Sequence, residues 1–468
     1  MKTQLPKLGM QVLLVFFCIT AILSSAGCAN GSQISKEATD FYNHGLANYE
    51  KGEYDQAIAD FDQAIKLQPD YADAYINRGL AYHYMGDIDR AIADYDQAIK
   101  IKPSGSAYLY RGQAYSSKGD QDRANADLDY AIKEYYDKAI QSNPEDEQSY
   151  YYRGLAYYSK GDYERAISDY DQAIKLKPDY ADAYYSRGAA YYYKGEYDRA
   201  IADYDQAIKL QPDYADAYSS RGVAYSDKGE YDRAIADYDQ AIQLQPDYVY
   251  AYYGRGLAYY YKSEYDRAIA DYDQAIQLQP DYVDAFYSRG LAYSDKGEYD
   301  RAVADYDQAI QLQPDYEYAY LGRGFAYYEK GDYDRAIADY DKSISLKPDD
   351  ADAYNNRCAA YVNKGEYDRA MADCDKSIQL KPDFANPYKN RGRAFAGKGD
   401  NDRAIADFDQ AILLMPDYAE AYYYRGLIYK TEQKKDQAVA DFKKILELNN
   451  DPEWQQKAKD QLQELGVK

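Results

Sequence analysis

An all-α stack of antiparallel helix pairs is the fold class this sequence predicts, and three observations predict it. Prolines recur every 34 residues, at Pro178, Pro212, Pro246, Pro280, Pro314, Pro348, Pro382 and Pro416, with Pro69 and Pro103 on the same spacing. The stretch YDRAIADYDQAIQLQPDY, Tyr231 to Tyr248, returns unchanged from Tyr265 to Tyr282 and with one change, Val303, from Tyr299. Each copy carries apolar residues at helical spacing, so each is one brick of a repeat stack.

The chain opens with a different element. Lys2 and Lys7 precede an apolar run from Val12 to Leu23, followed by Ser24-Ser25-Ala26-Gly27 and Cys28. This is the layout of a secretory signal peptide over residues 1–27, with an apolar run shorter than the ~20 residues a spanning helix needs. SSAGC resembles the lipobox of bacterial lipoprotein signals, although Ser25 stands where Leu is usual. That resemblance implies lipidation of Cys28, cleavage after Gly27 and a membrane lipoprotein facing the periplasm or the cell exterior. Ala29 then suggests outer-membrane sorting in a Gram-negative cell. Residues 28–37 read as a short lipidated tether.

Residues 38–452 form twelve repeats. In the fifth, Ala181 to Tyr214, Asp179 is placed to cap a first helix and Asp182 to favour the N-terminal end of its dipole. Tyr184, Gly188 and Tyr191 share one face of that helix, which Gly195 stops. A second helix then buries Ala200, Ile201, Tyr204, Ala207 and Ile208 and ends at Pro212. Small residues at Gly188 and Ala200 let the two helices approach, and neither helix hides its stripe without neighbours. The third repeat has lost one residue before Arg111 and gained eight after Arg123, a net insertion of seven. This predicts a longer second helix and a local kink. Residues 453–468 place Trp454, Ala458 and Leu462 on one face and read as a capping helix.

Tyr184, Arg187-Gly188, Tyr191, Ala200, Tyr204, Ala207 and Pro212 resemble the signature of the tetratricopeptide repeat. The resemblance implies a right-handed superhelical solenoid and a non-enzymatic interaction protein. Arg187 departs from it, standing where Leu is common, and recurs as Arg221, Arg255, Arg289, Arg323 and Arg357. Two readings of this arginine stay open: a ladder of ion pairs to carboxylates such as Asp203, or a solvated side chain on an apolar stem.

Comparing repeats with one another locates variation. The second helix hardly changes, even at exposed positions. The first changes at Asp182, Tyr185, Ala189, Tyr192 and Tyr193, which share a face that in the family lines a concave peptide-binding groove. The candidate partner-binding residues are Tyr151, Tyr158, Asp182, Tyr185, Tyr192, Tyr193, Asp216, Asp227, Tyr250, Tyr253, Tyr260, Tyr261, Asp284, Tyr287, Asp295, Tyr318 and Tyr328. Aromatic and acidic rungs suit an extended protein segment, or alternatively a polysaccharide stacked on tyrosine. The family analogy extends to envelope assembly or secretion systems.

The formal net charge of −24 disfavours nucleic acid as a partner. Only two histidines occur, His44 and His83, and no residue constellation points to a cofactor, a metal site or catalysis. In the tenth repeat Cys358 replaces the small glycine and Cys374 the tyrosine facing it. They read either as a disulfide in an exported protein or as two small buried thiols.

Overall fold

The computed structural model describes residues 35–448 and 451–467; the signal segment, Cys28 and the tether up to residue 34 lie outside them. The chain divides into two compact units, Met1–Lys262 and Ser263–Lys468. Among the described residues all regular structure is helical, and within each unit helices pack in chain order as antiparallel pairs. In the first unit a representative pair is Ala181–Tyr193 with Tyr197–Leu210; in the second it is Val283–Asp295 with Tyr299–Leu312.

The sequence dictates these boundaries locally. Gly195 adopts φ 76°, which accepts the left-handed turn after the first helix without a Cβ penalty. Ser263 and Gln433 hold the same turn at φ 61° and 59° with a side chain present, a strained conformation. Where an aspartate precedes the second helix it caps it: the Asp162 carboxylate accepts from the Arg165 amide at 3.2 Å. Asp179 does not cap the first helix of the fifth repeat. Tyr180 occupies the N-cap position and gives no side-chain bond, because the chain after Pro178 needs one more residue to turn.

Inside each pair, packing follows the small-and-large rule. A Cβ placed on Gly188 would lie 2.8 Å from the ring of Tyr204, so only glycine admits that fully buried tyrosine. Ala200 and Ala207 are likewise inaccessible. In the tenth repeat the same place is taken by the bonded pair Cys358–Cys374, whose Cα atoms stand 5.6 Å apart.

The arginine that departs from the family pattern bridges repeats. Arg187 donates through Nε and Nη2 to Asp203 of its own second helix at 2.8 and 2.6 Å, and through Nη1 to Asp171 of the preceding repeat at 2.5 Å. Arg221 repeats this with Asp237 and Asp205, and in the second unit Arg357 does so with Asp373 and Asp341. Of the two readings, the ladder is what forms. The fork of the guanidinium suits it, since two donors fix one carboxylate while the third reaches the next brick. Burial pushes the Asp203 carboxyl up from its usual range, against the opposing pull of Arg187.

The third repeat shows how the stack absorbs extra residues. Its second helix continues through Gln121–Tyr130, a π-helical stretch Ala131–Tyr136 and Asp137–Ser142. Eight added residues exceed two α-turns by about 0.8 residue, close to the one extra residue a widened turn takes in. The rephased helix pairs backwards through Asp127 with Arg111 and forwards through Asp137 with Arg153. The longer second helix expected from the sequence is thus present, and its adjustment is a π-turn.

The helix Pro452–Glu464 packs on the last repeat. Its Ala458 and Leu462 are buried, and Trp454 lies 5.4 Å from the Tyr423 ring, centroid to centroid.

Candidate functional site: the variable face of the first helices

The variable positions lie on first helices, and the structure divides them by accessibility. Tyr151, Tyr185, Tyr192, Tyr253 and Tyr287 are buried. Tyr158, Asp182, Tyr193, Asp216, Tyr250, Tyr260, Asp284, Tyr318 and Tyr328 are partly exposed, and Asp227, Tyr261 and Asp295 are exposed. The buried five offer no surface as the chain stands. A first helix is flanked by its own second helix and by both neighbouring repeats, so more of its circumference is covered than one amphipathic stripe suggests. In the fifth repeat Tyr185 is more deeply buried than Tyr184, which lies partly exposed beside Arg187 with the guanidinium carbon 5.4 Å from its ring centroid.

The buried members make contacts from one repeat to the next. The Tyr185 hydroxyl meets that of Ser220 at 3.2 Å, and Tyr151 meets Ser186 at 3.5 Å. Asn77 donates to the Tyr42 hydroxyl at 3.0 Å. In these three pairs a large residue in one repeat faces a small or polar one 35 residues on. Where Leu109 stands instead of tyrosine, the partner column holds Tyr152. Two rows further along the helix the rule recurs: Tyr192 donates to Asp227 at 2.5 Å, and Asn363 donates to Tyr328 at 2.8 Å. Tyr193 and Tyr261 stack on Tyr163 and Tyr231 of the preceding repeats, at interplanar angles of 11° and 8°.

Acidic members are held by tyrosine. Tyr214 donates to Asp182, Tyr248 to Asp216 and Tyr316 to Asp284, at 3.2, 2.7 and 2.9 Å. Burial raises all three carboxyls above their ordinary value, Asp216 to about 6, against the opposing effect of the hydroxyl bond. Burial likewise raises Tyr192, reinforced by Asp227, and lowers buried His83 to about 4. The accessible remainder is a surface of tyrosine edges and carboxylates. Among the described residues no group of His, Cys, Asp and Glu is arranged to hold a metal ion.

Charge on this face changes in the eleventh repeat. Lys389 pairs with Glu420 at 2.6 Å, and Arg393 lines a cavity of 340 Å³ together with Val362, Ala396, Phe408, Leu427 and Thr431. The sequence reading missed Arg393. The signal was present: its column otherwise holds Leu, Ala, Val, Phe or Gln.

A family model described as TPR repeat matches residues 45–86, 154–195, 188–229, 224–263, 256–297, 292–331, 326–365 and 392–433. Models described as tetratricopeptide repeat match 72–104, 351–384, 135–168 and 419–452. No curated protein matches the chain. Among solved structures, MamA is 32% identical over 34% of this chain and 94% of its own, with a TM-score of 0.33. YrrB, described as a TPR protein with an unusual peptide-binding site, is 27% identical over 39% of this chain and 95% of its own, TM-score 0.35. Yeast Tom70 is 18% identical over 93% of this chain and 96% of its own, TM-score 0.41.

Proposed function

The chain belongs to the tetratricopeptide-repeat family, and from that premise we propose that it is a non-enzymatic scaffold that holds an extended segment of a partner protein along the variable face. The observation that carries this reading is the contrast within each repeat: exposed second-helix positions stay constant while first-helix positions vary. Drift alone would touch both. The accessible part of the face, including Tyr250, Tyr261 and Asp227 in the first unit and Tyr318, Asp284 and Asp295 in the second, supplies flat aromatic area and hydrogen-bonding groups at low entropy cost. A polysaccharide is the second ligand class considered. Tyr193 and Tyr261 each give one ring face to a neighbouring tyrosine, which leaves less stacking area for a sugar and favours the peptide.

We also propose that residues 1–27 act as an export leader and that acylated Cys28 anchors the chain, with a place in an envelope assembly or secretion system. Capture of partners by the full-length protein, repeated with Tyr250, Tyr261 and Tyr318 changed to Ala, tests the scaffold reading: undiminished capture removes it. Radiolabelled palmitate incorporated by the natural chain and not by Cys28→Ser tests the anchor.

A further inference from the structure

The cavity beside Arg393 lies where Tyr192 stands in the fifth repeat. In the fifth repeat Tyr192 sits 5.4 Å from Tyr197, centroid to centroid, near Tyr204, with its hydroxyl on Asp227. Six repeats of 34 residues later the counterparts of Tyr192, Tyr197, Tyr204 and Asp227 are Ala396, Asn401, Phe408 and Thr431. All four line the 340 Å³ cavity. The same positions surround it with different side chains, and the ring at its centre is missing. Leu427, Ile428 and Val362 complete an apolar wall, and an opening of this kind beside Ala396 leaves the lining atoms without partners.

Arg393 gives the cavity its sign. Its counterpart in the fifth repeat is Ala189. Among the described residues it is the arginine without a carboxylate partner: Nη2 donates to Asn363 Oδ1 at 2.8 Å, and the guanidinium carbon stands 5.0 Å from the centroid of Tyr424. On a chain of net charge −24, where arginine after arginine is engaged in the Asp ladder, a guanidinium with donors to spare at a cavity wall attracts an anion.

We propose that this cavity receives an aromatic side chain of an extended partner segment, in place of the ring the eleventh repeat lacks, with a carboxylate next to that aromatic residue pairing with Arg393. The inference rests on the groove reading above and names the partner's chemistry at one point along it.

Fluorescence polarisation with the full chain tests it, using labelled, amidated heptapeptides. The probes are Gly-Gly-Asp-Tyr-Asp-Gly-Gly and two counterparts, one with Ala for Tyr and one with Lys for both Asp. The acidic tyrosine peptide is expected to bind at least tenfold more tightly than either counterpart. Ala396→Tyr, which restores the ring, is expected to abolish that preference and to slow hydrogen exchange in the twelfth repeat. Arg393→Gln is expected to weaken the acidic peptide about tenfold and leave the Lys peptide unchanged. Equal binding of all three peptides by the natural chain overturns the proposal without any variant. Unchanged binding by Ala396→Tyr also overturns it, and if that binding is still lost on changing Tyr318 to Ala, the groove reading survives alone.

Discussion

The fifth and sixth repeats and the tenth and eleventh are built on the same frame and filled differently. In the former, tyrosines make the filling contacts: Tyr204 against Gly188, Tyr185 against Ser220, Tyr192 against Asp227. In the latter, Cys358 and Cys374 replace the glycine and tyrosine, Asn355 and Asn390 replace Tyr185 and Ser220, and Ala396 leaves a cavity. The arginine ladder is unchanged through both, as Arg221 and Arg357 show. The difference teaches that the ladder and the helix-pair frame carry the stacking, whereas the inner filling is free to be exchanged in matched sets.

The largest break in that comparison comes from the shared element. Arg221→Ala removes three charge-assisted bonds and leaves Asp237, whose side chain is 7% exposed, without its fork. Loss of one partner of such a pair is expected to lower local stability by about 3 kcal/mol, read as faster hydrogen exchange in the sixth repeat and its neighbours. Arg357→Ala is expected to do the same in the tenth, despite its different filling.

Reduction of Cys358–Cys374 separates the two regions. The bridge closes a loop of 16 residues, and opening it is expected to lower stability by about 3 kcal/mol in the chain-entropy account. The loss should fall on the tenth repeat while exchange in the fifth stays unchanged, measured by hydrogen exchange with and without reductant.

A smaller effect distinguishes them by pH. The Asp216 carboxyl is raised in the folded chain to about 6 from 3.8, so the stability of its protonated form is fully present below about pH 4 and lost as pH rises through 6. Asp216→Asn, which keeps an acceptor for Tyr248, is expected to stabilise the sixth repeat at pH 7.5 and to be neutral at pH 4. The size is on the order of 1–2 kcal/mol, less than the full 1.36 kcal/mol per unit because the site is partly exposed. Denaturant melts at the two pH values check it. The smallest is Ser263→Gly, which relieves a positive φ and is expected to add about 1 kcal/mol.

Much of this was legible in the sequence. The period located every pair, Gly188 opposite Tyr204 announced the close approach, and Arg187 with Asp203 offered an ion pair as one of two open readings. What comparison of repeats position by position did not reveal was coupling between them. Tyr185 and Ser220 lie in different columns 35 residues apart, so variation that looked like ligand choice is in part size-matching between neighbours. A vacancy such as that at Ala396 shows only once the walls around Tyr192 are known. The π-turn in the third repeat follows from a remainder of less than one residue, which the length of the insertion contains and its letters do not display.

The central claim is that the buried variable positions form matched inter-repeat sets. A double-mutant cycle at Tyr185 and Ser220 tests it most directly, with Tyr185→Leu, Ser220→Tyr and both together, the double variant imitating the natural Leu109 and Tyr152. Each single change is expected to destabilise by about 1–3 kcal/mol through a cavity or a clash. The double variant is expected to recover at least 1 kcal/mol of their sum. Additive losses within about 0.3 kcal/mol would contradict the account, because side chains that fit one another cannot be exchanged independently.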